Sequence, residues 1–142
     1  MLAENTRYGF HEIKIKSGEN IREIINAYVV EHKITHAFIA GAVGSVSDMV
    51  FNAPDSSSFP IKPVSTPVSG PAEVLAFSGE VIPKEEMDET MKRIYHDDPY
   101  DLFIHVHAAV GVAGANVYGG ALLEGKVFRA LSVYILPINP IK

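Results

Sequence analysis

Between Leu102 and Val110 the sequence LFIHVHAAV alternates in character, and no other stretch of the 142-residue chain constrains its fold so tightly. Leu102, Ile104, Val106, Ala108 and Val110 fall on one side; Phe103, His105, His107 and Ala109 fall on the other. Successive side chains of a β-strand point to opposite faces, so one wholly apolar face belongs in a core. The two imidazoles then project together from the other face, roughly 7 Å apart at Cα. Neutral imidazole is the commonest metal ligand and titrates near neutrality, which makes His105 and His107 candidates for metal binding or proton transfer. Zinc takes three or four protein ligands, so two half-buried, hydrogen-bonded histidines without a metal account for the pattern equally well. Shortly downstream, Tyr118-Gly119-Gly120 sets two glycines beside the strand. They permit a bulge or the close approach of another backbone or a ligand, so Gly119 and Gly120 join the candidate binding residues.

The flanking segments predict more strands and two helices. Tyr8 to Lys16 alternates as an edge strand with lysines outward and His11 on the apolar face as a hydrogen-bonded core histidine. Ile21, Ile24, Ile25, Tyr28, Val29 and His32 recur at helical spacing, with Ser17 or Asn20 placed to cap the helix. His36–Gly44 and Ser45–Asn52 read as two strands joined or kinked at glycines. Ala53–Pro71, with five prolines and five serines, reads as a surface excursion with a short strand near Ile61–Val64. Ala72–Ile82 is a strand bent at Gly79, whose Glu73 and Glu80 become ligand contacts if they face the histidines. Lys84–His96 has helical spacing, with Met87, Met91, Ile94 and Tyr95 on one side. Val117–Leu123 and Lys126–Pro137 read as strands joined by a hairpin turn at Glu124-Gly125. The second is apolar on both faces, as in a central strand or one covered by a partner subunit. The expected class is α+β, with a mostly antiparallel sheet and about two helices.

Length predicts one domain over residues 1–142, with room for a real core. There is no cysteine, which excludes disulfide and thiolate chemistry and fits a reducing compartment. The N-terminus MLAENTRYGF has no basic-then-apolar leader and no apolar run reaches spanning length, so a cytoplasmic, non-membrane protein is expected. Net charge is −5, with 12 basic against 17 acidic residues and no cluster of lysine or arginine. Nucleic-acid affinity comes largely from such clusters, so direct DNA contact by one chain is disfavoured.

The ordered blocks GAVGSVSD, PAEVLAFSGEV, IHVHAAV and VYGGALLEGKVFRALSVYIL resemble the plant-and-prokaryote-conserved (PPC) domain family, over about Phe10 to Pro137. The resemblance implies an α+β sandwich or barrel-like core assembling as a homotrimer. It also implies a regulatory or self-association role, with DNA or a DNA-binding regulator as partner. In plants the domain follows AT-hook segments, and this chain has no Arg-Gly-Arg core of that kind. Bacterial members often add a third histidine in G-G-H-L, able to complete a metal set with H-x-H; here that position is Ala121. The fold is also similar to that of acetolactate decarboxylase, a metal lyase using three histidines. Three expectations follow: a homo-oligomeric association protein; a small-molecule-binding or zinc-dependent enzyme using His105 and His107 with Glu80 as base; or a ligand sensor retaining both histidines without metal. No catalytic residue is assigned, and zinc is the sole cofactor implied.

Overall fold

The computed structural model describes residues 6–7 and 9–139. Its elements run β1 (Thr6–Arg7), β2 (Phe10–Lys16), α1 (Ile21–Glu31), β3 (Ala37–Pro54), β4 (Pro63–Pro83), α2 (Glu89–Ile94), β5 (Leu102–Gly111) and β6 (Val117–Pro137), with one 3-10 turn at Lys84–Glu86 before α2. All pairings between named strands are antiparallel, in the order β1-β2-β6-β3-β4-β5. The first residues of β6 also pair with β5, His107 opposite Ala121 and Gly111 opposite Val117, so β6, β3, β4 and β5 close into a ring. Closure removes the free edges that long strands would otherwise expose. It confirms the expected α+β class with a mostly antiparallel sheet and two helices.

β3, β4 and β6 hold 18, 21 and 21 residues, long for strands, and they close the ring by bending at bulges. This corrects the expected segmentation. His36–Gly44 and Ser45–Asn52 form one strand. Much of the proline-rich excursion is the second limb of a hairpin pairing Asn52 with Ser65 and Pro54 with Pro63. No hairpin turn exists at Glu124-Gly125, because β6 runs straight through both residues. A Cβ on Gly125 would lie 2.2 Å from Met49 Sδ, so this glycine serves close strand packing rather than a turn. Gly79 is not a bend either, since the register of β4 with β5 runs unbroken from Ala76 to Pro83. The expected helix over Lys84–His96 shrinks to the 3-10 turn and the six residues of α2.

α1 follows the predicted stripe, burying Ile21, Ile25 and Val29, and starts at Asn20, whose side chain accepts a hydrogen bond from the Glu23 amide. The main core joins that stripe to Ile39, Val46, Val81, Val106, Val110, Leu131 and Val133. A second cluster of Met87, Tyr95 and Phe103, with Met91 and Ile94 alongside, seats α2 on β5. Tyr8 lies outside the described residues, Gly9 is a turn, and Phe10–Lys16 form β2 between β1 and β6 rather than at an edge, with His11 buried as expected.

His11 Nδ1 lies 2.7 Å from the Tyr28 hydroxyl. Burial pushes this imidazole below its ordinary 6.5, and the neighbouring His32 adds to the lowering. The unfolded chain therefore takes up the proton first, so the contribution is complete above about pH 6.5 and fades below it. The thermal midpoint should fall as pH is lowered from about 7.5 to 5.5, and fall less in His11→Gln. An equal fall in both proteins would remove His11 from the explanation.

Candidate functional site

β5 carries the predicted pair. Ile104, Val106, Ala108 and Val110 are buried in the core, while His105 is half-buried and His107 exposed on the opposite face. Phe103, on the histidine side by alternation, is buried beneath α2, and His105 stacks on it at 4.8 Å between ring centroids. The two imidazoles meet edge to face at 4.9 Å. Cross-strand register supplies the neighbours: Glu80 of β4 stands opposite His105, and His107 lies between Ser78 of β4 and Ala121 of β6.

Glu80 Oε2 accepts a hydrogen bond from His105 Nδ1 at 3.2 Å. That bond fixes the ring and leaves Nε2 available, as a carboxylate does behind a metal-ligating or base histidine. Burial pushes the His105 imidazole below its ordinary value; the hydrogen bond to Glu80 opposes the shift and His107 reinforces it.

The histidines form part of the wall of a cavity of about 610 Å³. The hairpin limbs contribute Asn52, Ile61 and Pro63, α2 contributes Met91, Ile94 and Tyr95, and the floor is made of small residues, Ala76, Ala109, Gly120 and Ala121 among them. Arg93 Nη2 donates to the Ile61 carbonyl at 2.9 Å, tying hairpin to α2 across the cavity. Burial pushes the Tyr95 phenol above its ordinary value, opposed by the nearby Arg22 guanidinium. Apolar walls with a few convergent polar groups are the usual make-up of a small-molecule site. A smaller hollow on the far side of the histidines is lined by Phe38, Ser78, Gly79 and Glu80.

The candidate residues from sequence separate accordingly. His105, His107 and Glu80 come together, and Gly120 lines the cavity. Gly119 instead presses on β5, where a Cβ would meet the Ala108 carbonyl oxygen at 2.4 Å. Glu73 lies far along β4, opposite Ser45 and Gly111, away from the histidines. Asn52, Ser78 and the cavity-facing side of α2 were not singled out from sequence. Met91, Ile94 and Tyr95 were visible as a stripe, but a stripe reads alike whether it meets a core or a cavity.

Among the described residues, no group of three or more histidine, cysteine, aspartate or glutamate side chains is placed to hold a metal. The third position implied by resemblance is a methyl group directly across from His107. Two imidazoles without a third ligand do not fit a zinc ion held by this chain alone.

The sequence profile of the Plants and Prokaryotes Conserved (PCC) domain, the family also written PPC, matches residues 4–139. The chain belongs to this family. Among solved structures, a metal-containing protein of Archaeoglobus fulgidus is 27% identical, with 90% of this chain and 78% of that one covered at a TM-score of 0.69. A Bacteroides thetaiotaomicron protein, whose name gives DNA binding as a conjecture, superposes at a TM-score of 0.74 with 13% identity, covering 95% of this chain and 82% of that one. Acetolactate decarboxylase of Bacillus subtilis shares the fold at a TM-score of 0.57 and 14% identity; the match covers 90% of this PCC chain but 52% of the enzyme. No curated protein matches the chain. No helix among the described residues is long and apolar enough to cross a membrane.

Proposed function

We propose that this PCC protein is a cytoplasmic, homo-oligomeric association module, one domain over residues 1–142, that binds a small organic molecule beside His105 and His107. The cavity carries this reading: its volume falls in the range of ligand sites, its walls are apolar, and Ser78, His105 and His107 converge at one part of its lining. Self-association, a trimer by family resemblance, is supported by apolar side chains on the outer sheet face. Phe38 is 46% exposed beside Leu136, and Val43 is 70% exposed on the same strand as Phe38. Exposed apolar groups of this kind mark contact surfaces when they cluster.

A DNA-associated role is favoured by the name of the Bacteroides neighbour, and the acidic balance directs it through a partner regulator rather than through phosphate contacts. The metal-dependent alternative lacks a third ligand within the chain. Methyl NMR of the protein titrated with small carboxylates and neutral aromatics tests the central reading. Met91, Ile94 and Ala121 signals should shift, while Val46 and Val133 in the core stay still. Failure of every cavity methyl to respond at about millimolar ligand sinks the proposal. A duplex DNA affinity falling steeply between about 50 and 200 mM salt would move the assignment to direct DNA binding.

A further inference from the structure

We infer that Ala121 decides what the histidine-walled cavity accepts, selecting an organic acid with an apolar body in place of a metal ion. The inference rests on the cavity being a ligand site. His107 and Ala121 are direct cross-strand partners, and such pairs hold their Cβ atoms about 4.5–5.5 Å apart. A longer side chain at 121 would therefore enter the space in front of His107. The backbone there cannot withdraw to make room. At Gly120 β6 runs so close to β3 that a Cβ would sit 2.8 Å from the Asn52 carbonyl oxygen. The methyl of Ala121 leaves the volume open, as do Ala76 and Ala109 around it.

The lining is mostly apolar, with Asn52, Ser78, Thr90, Tyr95, His105 and His107 as its polar side chains. Ile61, Pro63, Met91 and Ile94 offer apolar surface to the body of a ligand. Ser78 and His107 offer O–H and N–H donors to a ligand head, while the free Nε2 of His105, whose Nδ1–H goes to Glu80, accepts. The one carboxylate beside them, Glu80, already accepts from His105. A carboxylic head on an aryl or short alkyl body matches this set, accepting from Ser78 and His107 and donating its O–H to His105 Nε2.

Two substitutions at one position separate the possibilities, with 3-phenylpropanoate and zinc as the probes in isothermal titration. Ala121→Phe fills the cavity and adds no ligand. Ala121→His fills it and adds a third imidazole beside His105 and His107. Residue 121 is partly exposed and outside the core cluster, so both variants should keep the fold, checked by their thermal midpoints. The native protein should bind the acid, and Ala121→Phe should lose about tenfold or more in affinity without gaining zinc. Ala121→His should lose the acid and gain about tenfold or more in zinc affinity over the native chain.

Tight zinc binding by the native protein, unchanged in Ala121→His, overturns the inference. So does acid binding that is equal in the native protein and Ala121→Phe. Neutral indole serves as the control that separates the two levels. Indole binding lost in Ala121→Phe, with no binding of the acid, would reject the ligand class and leave the cavity site standing. No binding of either compound would reject both.

Discussion

Asp98→Ala should cost this fold about 3–5 kcal/mol, the penalty for stranding a buried charge without its partner. Arg22 enters α1 with its side chain only 2% exposed, and its Nη1 meets Asp98 Oδ1 at 2.8 Å, where the carboxylate is 3% exposed. Arg22 Nε donates to the Ile104 carbonyl at 2.9 Å and Nη1 to the Leu123 carbonyl at 3.2 Å. Its guanidinium carbon lies 5.0 Å from the Tyr100 ring centroid and 6.0 Å from that of Tyr95. One side chain thus joins α1, the segment after α2, β5 and β6. Lys84 donates to the Asp98 carbonyl at 2.7 Å and stands 3.8 Å from Oδ2, too long for a hydrogen bond but close enough to share its charge.

Because Arg22 Nη2 and Asp98 Oδ2 make no hydrogen bond, the pair is a constraint on geometry rather than an ideal source of stability. The double variant Arg22→Met/Asp98→Leu should accordingly lose less than Asp98→Ala alone. Urea unfolding midpoints measure both. A loss below about 1 kcal/mol in Asp98→Ala would show that the pair is solvated and weak. The site should respond as well, since Tyr95, a cavity wall residue, precedes Asp98 in the same tied segment.

Nothing local in the sequence announces that ion pair. Arg22 sits among charged and apolar residues of an ordinary amphipathic helix, and its partner lies far along the chain in an aspartate-rich turn. What the sequence displayed clearly was periodicity. The alternation at Leu102–Val110 and the stripe of α1 both survive into the fold, because each is decided by which face meets the core. The glycines misled for the opposite reason. Gly125 and Gly79 look like turn or bulge residues in one dimension, yet their spacing requirement comes from another strand packed against them. The cavity was legible in part, through His105 and His107 of β5, with Glu80 of β4 bonded to His105, and through Gly120 of β6. Its other walls depend on how the β3–β4 hairpin and α2 meet, a tertiary relation fixed by contacts such as Arg93 to Ile61.

Gly79→Ala should disrupt both the ring and the histidine site, although the position is regular in register. Gly79 pairs with Val106 on one side and Ile39 on the other, between the rows Ser78–His107 and Glu80–His105. A Cβ placed there would lie 1.8 Å from the His105 carbonyl oxygen and 3.0 Å from Val106 Cα. Both are backbone atoms held in ladders, so no flexible side chain can turn aside. β4 and β5 must separate locally, at the upper end of the roughly 1–3 kcal/mol that overpacking costs, or beyond it. That separation acts at His105 itself and should break its hydrogen bond with Glu80, freeing the ring that the carboxylate orients. The expected result is a lowered urea midpoint together with altered His105 imidazole signals in NMR, while His11, bonded to Tyr28 on β2's side of the fold, keeps its own. Val81→Ala removes core volume from the same strand and makes the control, since it should lower stability without releasing His105. If Gly79→Ala matches the native protein in both readings, the two strands are not as closely pressed as the glycine's surroundings require. If it loses stability and leaves His105 undisturbed, the glycine serves the ring alone and has no part in holding the site.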